Sequence, residues 1–416
     1  MDVDVFPSLL TDEGRTLLDG LRDYDPAGEL ATATRLRREH PVALVSAAIG
    51  QARLRQRAVP KFGAEDAYRM FFTSDGVEQA TRTSVATYRA ERFAALGVRR
   101  LADLCCGIGG DAIALARAGI KVLAVDRDPL TCAVAQANAE ALGLADLIEV
   151  RCADVAGIDA TGYDAVFVDP ARRSGRGRIF APESYSPPLS WAVEAARKAP
   201  YAALKIAPGI PHEAVPPDAE AEWISDAGGV KEAVLWFGAG AREAGTGALA
   251  AGAGASGTGG PRLQPGGMRA TLLPGPRTLL GAGLPDPAAG AVGRWLYEPD
   301  GAVIRAHLVA DVAERVNGRL IDPMIAYVTS DELIPTPYAT AYEITDVLPF
   351  NLKKLKALMR ERGVGIAVIK KRGSAIEPEE LRKKLKLSGK KTCVIFLTRV
   401  ADAPSMLLGR TATPGP

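Results

Sequence analysis

Residues 101–129, LADLCCGIGGDAIALARAGIKVLAVDRDP, constrain the fold more tightly than any other part of the chain. A short apolar run ends at Cys105, and a glycine-rich turn holds Gly107, Gly109 and Gly110. A helical stretch follows over residues 111–118, and a second apolar run over 121–125 ends on Asp126. Strand, glycine turn, helix and strand with a terminal acid predict the start of an α/β unit with a mostly parallel sheet. In such a sheet a nucleoside ligand sits beyond the carboxyl ends of the strands, where the strand order reverses. The glycines let the backbone approach that ligand because no Cβ intervenes. A carboxylate at Asp126 is placed to bond two ribose hydroxyls.

The pattern continues with strands expected at residues 147–151, 165–168, 201–206, 231–237 and 268–273, and a helix at 129–142 closed by Gly143. The expectation is a Rossmann-like, seven-stranded sheet over residues 98–273. Before it, residues 1–97 read as helical: Leu9, Leu10, Leu17, Leu18 and Leu21 recur at helical spacing, with Asp12 as N-cap, and a second helical segment spans 76–96. Residues 238–265 are dense in glycine and poor in bulky apolar side chains, which predicts a flexible insertion. Residues 274–293 read as a linker, and 294–416 as a compact α+β module with a helix at 301–315.

The 416 residues, 47% of them hydrophobic, suffice for two or three units with cores of their own. The acidic start has no basic segment followed by an apolar run, and no stretch of about 18 apolar residues occurs. A cytoplasmic protein with no membrane partner is expected. The five cysteines form no C-x-x-C pair and only three histidines are present, so free thiols and no metal are expected. Oligomeric state is left open.

Two ligand classes fit the glycine turn. Gly107-x-Gly109-x-x-Ala112 matches the fingerprint of nicotinamide enzymes. Two features favour S-adenosylmethionine. Asp103, just before the loop, is placed to meet a cationic amino group, for which a pyrophosphate site has no need. Asp169-Pro170, after the fourth strand, belongs to methyl-transfer chemistry. With Asp126 and Asp154, four successive strand ends carry acids. Arg127 and Cys105 adjoin the same turn; Cys105 and Cys106 read as small buried loop residues rather than nucleophiles. Asp128, before Pro129, reads as a helix cap, and Asp111 as the opening of the helix after the loop.

The order D-x-x-C-G-x-G-G from Asp103, then V-D-R-D-P, then N-A at Asn138, resembles class I methyltransferases that act on RNA, the trimethylguanosine synthase group over residues 101–154. The resemblance implies that Asp103, Gly107 and Gly109 contact the methionine part of the cofactor, Asp126 the ribose and Asp154 the adenine amino group. Asp169-Pro170-Ala171-Arg172 resembles the D/N-P-P-Y/F/W tetrapeptide of amino-methylating enzymes, whose first side chain and proline carbonyl accept hydrogen bonds from the target amine. Here Ala171 replaces the second proline and Arg172 the aromatic residue. The segment also resembles the D-P-P-R of RNA uracil-C5 methyltransferases. Those need a cysteine after the fifth strand, where this chain has Lys205-Ile206-Ala207-Pro208-Gly209. Lys205 either contacts substrate or pairs with Asp169.

The net charge of +2 conceals an asymmetry: residues 351–399 hold 15 Lys/Arg against 4 Asp/Glu. A polyanionic partner, RNA, is expected. Arg172, Arg173 and Arg176 crowd the reacting end, suited to phosphate or a guanine edge. Lys370, Lys371 and Arg372 end a strand and Lys383 and Lys384 lie on the next helix, expected to form one phosphate-tracking surface. Residues 294–400, with Y-E-P-D-G-A-V-I-R-A, L-P-F and I-K-K-R-G, resemble the THUMP-like domain attached to a group of bacterial methyltransferases; THUMP domains proper bind structured RNA. The reading is an RNA methyltransferase with Asp169, Pro170 and Arg172 at the reacting centre. A small-molecule or protein methyltransferase, a non-catalytic RNA-binding protein retaining the fold, and a nicotinamide enzyme remain as rivals.

Overall fold

Strands β1 (Arg100–Leu104), β2 (Lys121–Asp126) and β4 (Ala165–Val168) are buried along almost their whole length, because helices cover both faces of the sheet they form. A computed structural model describes residues 3–171, 173–174, 177–178, 181–238 and 263–412 of the chain. Arg172, Arg176 and almost all of the glycine-rich stretch 238–265 lie outside the described residues. Contacts divide the chain into two compact units, Met1–Ala221 with Glu232–Gly266, and Glu222–Lys231 with Gly267–Pro416. The helical residues 1–97 and the strands and helices from β1 to Ala221 therefore share one unit.

The first unit opens with α1 (Asp12–Asp19), α2 (Glu29–Leu36), α3 (Val42–Ala67), α4 (Ser74–Gln79) and α5 (Thr83–Ala95). Thr11, not Asp12, caps α1: its hydroxyl accepts the Gly14 N–H at 3.1 Å. The single helix expected over 76–96 is two, parted where Ala80 turns extended (ψ 142°). After the helices come β3 (Ile148–Cys152), β5 (Tyr201–Ile206), β6 (Glu220–Asp226) and β7 (Gly229–Gly238), with α6 (Gly110–Arg117), α7 (Pro129–Ala141) and α8 (Leu189–Lys198) between strands. Hydrogen-bonded neighbours run β3-β2-β1-β4-β5-β7-β6. Strands β1 to β5 are parallel, and β7 is antiparallel to β5, Tyr201 facing Gly238 and Ile206 facing Ala233.

The sheet has nine strands and not the expected seven, because beyond β6 it continues through Met268–Leu273 and Arg277–Leu280. The run expected as sixth is topologically the seventh. The sixth, Glu220–Asp226, was illegible because its sequence, EAEWISD, is polar at four of seven positions although every residue is buried. The hairpin joining β6 and β7 turns at Ala227 and Gly228, both at positive φ (51° and 75°), as a two-residue hairpin loop requires.

Buried carboxylates in this unit are matched by buried cations. Arg89 of α5, 1% exposed, bonds Asp111 of α6 through Nη1 and Glu232 of β7 through Nη2. Its guanidinium also lies 4.4 Å from the ring centroid of Phe167 in β4. Arg92, one turn on, pairs with Glu220.

In the second unit β8 (Met268–Leu273), expected as a strand of the catalytic sheet, is a member of it beside β6, and pairs antiparallel with β9 (Arg277–Leu280), which falls inside the stretch expected as linker. A separate sheet holds β10 (Trp295–Pro299), β11 (Arg319–Asp322), β12 (Ile325–Ser330), β13 (Ala339–Pro349), β14 (Val364–Lys371), β15 (Lys391–Val400) and β16 (Ala403–Thr411). Its order is β11-β12-β10-β13-β16-β15-β14, antiparallel except for the β14–β15 pair at one edge. The helix expected over 301–315 is broken into α9 (Gly301–Arg305) and α10 (Val309–Arg315) at His307, whose φ of +58° no helix accommodates. Two further helices, α11 (Leu352–Glu361) and α12 (Pro378–Leu385), bury Leu355, Met359, Leu381 and Leu385 against one face of the sheet.

Removing one partner from a buried ion cluster strands the others in low dielectric. Arg89→Met, which leaves Asp111 and Glu232 without their cation, is expected to destabilise the first unit by about 3–5 kcal/mol, read as a lowered urea midpoint with an unchanged slope.

Candidate functional site

The glycine turn after β1 is built as the sequence requires. Gly107 and Gly109 have φ of 56° and 86°, and a Cβ at Gly107 would meet nothing within 4 Å, so this backbone faces open space. Cys105 itself has a positive φ of 68°, a left-handed conformation that a side-chain-bearing residue adopts at a cost. The turn is tied to β2: the Gly107 N–H donates to Asp126 Oδ2 at 3.1 Å, and Oδ1 of the same carboxylate accepts the Asp128 N–H at 3.1 Å. Asp128 caps α7 through the Thr131 N–H at 2.7 Å, as expected.

Asn138 of α7 is wholly buried and joins three pieces of chain. Its amide donates to the carbonyls of Ile108 (2.9 Å) and Phe71 (3.1 Å), while its Oδ1 accepts the Phe71 N–H at 2.6 Å. The segment between α3 and α4 is thereby fastened to the glycine turn. On α4, a Cβ at Gly76 would come within 2.5 Å of Ile108 Cγ2. The helical residues before β1 therefore form one wall of the turn.

Asp103 is 0% exposed, and neither carboxylate oxygen has a hydrogen-bond partner among the described residues. Burial raises its pKa well above the ordinary aspartate value. The negative charges of Asp111, Asp169 and Asp126 add to that, and Arg89 opposes it. The Cys105 thiol is also held far above its usual range by burial, and then by Asp126, Asp169 and Asp103, so it stays protonated and is no nucleophile. An orphaned buried carboxylate beside a turn with open backbone fits a ligand that brings a cation and packs on peptide groups.

Asp169 follows β4. Lys205 of β5, its side chain 5% exposed, donates to Asp169 Oδ2 at 2.6 Å and to Thr81 Oγ1 at 2.9 Å. Burial alone would strip the proton from Lys205, but Asp169, Glu232 and Asp111 outweigh it and raise its pKa above the ordinary lysine value. Of the two roles open to Lys205, the ion pair is the one formed. Asp169 Oδ1 has no hydrogen bond among the described residues. Ala171 exchanges two backbone hydrogen bonds with Ser186, its N–H donating at 2.9 Å and its carbonyl accepting at 3.1 Å. Proline has no N–H to donate there. The departure from the two-proline motif thus has a local structural reason.

The remaining expected cofactor residues lie at the same edge. Arg127 is exposed beside Asp126, and Asp154 is exposed after β3, where Oδ1 accepts the Ala156 N–H at 2.9 Å and caps a short 3₁₀ turn. The backbone of Arg173 belongs to a two-residue ladder, Arg173–Ser174 against Gly177–Arg178. Among the described residues no group of three or more His, Cys, Asp or Glu is placed to hold a metal, and no helix is long and apolar enough to cross a membrane.

The expected single basic surface of the second unit is divided. Lys370 alternates with Ala367 and Ile369 along β14, and lies in register with Phe396, on the face opposite α11 and α12. There Lys370 pairs with Glu298 at 2.5 Å, and Arg372 lies 3.9 Å from the same carboxylate and 5.0 Å from the centroid of the Tyr327 ring. Lys371 pairs with Glu377, and Lys384 with Glu380, while Lys383 has no ion pair among the described residues.

Compared with known proteins, the chain is 33% identical over 356 residues, 83% of its own length and 90% of the relative's, to an uncharacterized S-adenosylmethionine-dependent methyltransferase of Mycobacterium tuberculosis strain CDC 1551. This chain belongs to the S-adenosylmethionine-dependent methyltransferases. The counterpart in strain H37Rv matches equally. A crystal structure from Porphyromonas gingivalis W83, described as a methyltransferase, superposes with a TM-score of 0.70 over 94% of this methyltransferase and 100% of that chain, at 20% identity, which is a likeness of fold. Family models match residues 98–172 (RNA cap guanine-N2 methyltransferase), 339–411 (THUMP domain-like) and 2–58 (a domain of unknown function). The nicotinamide alternative is thereby set aside.

Sequence reasoning gave the acids and glycines but missed Arg89, Thr81 and the anchoring role of Asn138. A lone lysine in the otherwise apolar strand YAALKI was the available signal for the Lys205 pair. Asn138→Ala removes three buried hydrogen bonds and is expected to destabilise the methyltransferase by about 2–4 kcal/mol, measured by urea unfolding.

Proposed function

We propose that this methyltransferase modifies a base in structured RNA, tRNA or rRNA, on an acceptor nitrogen oriented by Asp169 and Pro170. The observation that carries the reading is the Lys205–Asp169 pair beside the orphaned Asp103: one oxygen of Asp169 is held at 2.6 Å and the other is left to accept. Asp103, Cys105, Gly107 and Gly109 hold the methionine part of S-adenosylmethionine, Asp126 and Arg127 the ribose, and Asp154 the adenine. The bound cofactor supplies an electrophilic methyl group and a neutral leaving group. Asp169 Oδ1 and the Pro170 carbonyl accept the N–H bonds of the acceptor, aligning its lone pair, and little acid–base help is needed. Lys205 fixes the carboxylate that does this. Arg172, Arg173 and Arg176 are the residues proposed to meet RNA phosphate or base. The likeness of residues 98–172 to RNA cap guanine-N2 methyltransferases and of 339–411 to THUMP domains supports an RNA acceptor, as does the excess of cations over residues 351–399. The reaction is placed in the cytoplasm.

Labelled methyl transfer to total RNA from a strain lacking the protein tests this directly. The expected result is label in one RNA class, with Asp169→Ala lowering turnover at least a hundredfold while cofactor affinity stays within about threefold. Cofactor binding with no transfer to RNA would point to a small-molecule, protein or non-catalytic role. Asp103→Asn is expected to weaken cofactor binding by about 2 kcal/mol or more, roughly thirtyfold, read by calorimetry. Because Asp103 has a raised pKa in the free protein, and a cationic ligand favours its ionised form, wild-type binding should release a proton. Affinity should therefore rise with pH above the ordinary carboxylate range, a trend lost in the Asn variant.

A further inference from the structure

The cations of residues 351–399 divide into a neutralised set and a free set. Glu298 engages Lys370 and Arg372 on one face of the second unit's sheet. Three of the four acids of the segment are also taken locally: Glu377 by Lys371, Glu379 by Arg382 and Glu380 by Lys384. Lys353, Lys354 and Lys356 of α11, with Lys383, Lys386 and Lys390 in and after α12, are exposed and have no ion pair among the described residues. Both helices bury their apolar stripes in one cluster, Leu355 and Met359 with Leu381 and Leu385, so their outer sides look away from the same face of the sheet.

We propose that this outer face of α11 and α12, and not the Lys370–Arg372 strand end, is the surface on which the methyltransferase holds the sugar-phosphate backbone of its RNA. The inference rests on the RNA reading above and names the surface that performs it. Unpaired ammonium groups are what a polyanion exchanges against condensed counterions, whereas a cation already shared with a carboxylate must first lose that partner. The chemistry of the face selects among polyanions. Neither helix carries an exposed large hydrophobic residue; Ile366 and Val368, 60% and 45% exposed, stand on β14 in the same alternation as Lys370. A membrane-seeking helix needs apolar residues beside its lysines. No aromatic residue occurs in either helix, so bases have nothing to stack on there and the face tracks phosphates without reading sequence.

The test uses the full-length protein, unfractionated tRNA as probe and filter binding across a salt series, so that no turnover is required. Reversing four exposed lysines, K353E/K356E/K383E/K386E, is expected to weaken binding at least tenfold near 0.1 M salt. It should also flatten the slope of log K against log salt by about 2–3, close to one unit for each phosphate no longer neutralised. An unchanged thermal midpoint shows that the variant is folded. If tRNA binding survives the four reversals, or if K370Q/R372Q carries the loss instead, the helix face is not the docking surface and the RNA reading stands. If wild-type protein binds no RNA, or binds vesicles of anionic lipid in its place, the surface and the RNA reading fall together.

Discussion

Carboxylates gathered on β1, just after β4, at the start of α6 and on β7 are the constraint on which the first unit depends. Asp103, Asp111, Asp169 and Glu232 interact with one another inside the protein. Two cations, Arg89 and Lys205, keep most of that charge tolerable, and both are almost fully buried. Asp103 is the exception, with no partner for either oxygen among the described residues. Burial, with the negative charges of Asp111, Asp169 and Asp126, pushes its pKa well above the ordinary aspartate value. The fold thus keeps one buried carboxyl without a partner beside the glycine turn.

The helices that precede the sheet share in this arrangement. Arg89 reaches from α5 to α6 and β7, Thr81 supports Lys205, and Asn138 fastens the backbone at Phe71 to the glycine turn. A segment with none of the recognisable motifs thus supplies a cation, a hydroxyl acceptor and a backbone anchor to the site. Its compact unit contains the glycine turn as well, which is why a boundary at residue 97 has no counterpart in the packing.

In the second unit, charge is sorted by strand alternation and helix packing. Lys370 is two residues from Val368 and so shares its side of β14, where Glu298 and Tyr342 of β13 receive it. The lysines of α11 and α12 ride on the opposite side because Leu355, Met359, Leu381 and Leu385 turn those helices inward. A count of charges along the chain cannot distinguish these two populations, since both lie in the same stretch of residues 351–399.

What the sequence by itself determined is local. The glycines at 107 and 109, the acid after each strand and the cap at Asp128 follow from backbone and side-chain chemistry within a few residues, and each stands in the structure where that chemistry predicts. Four of the first five strands were legible because buried parallel strands are near-continuous apolar runs, whereas β3, IEVRC, is exposed at three of its five positions. Only the tertiary structure decided what depends on distant partners. Glu220–Asp226 is a buried strand in spite of its polar sequence because Arg92 and Thr271 meet its glutamates across many intervening residues. Lys205 pairs with Asp169 because β4 and β5 are neighbours in one sheet. Ala171 stands where the two-proline motif has its second proline, and its N–H donates to the Ser186 carbonyl. For the glutamates of β6 and for Lys205, burial raises the cost of an unmet charge, and the residue that meets it lies far along the chain, where no local pattern reveals it.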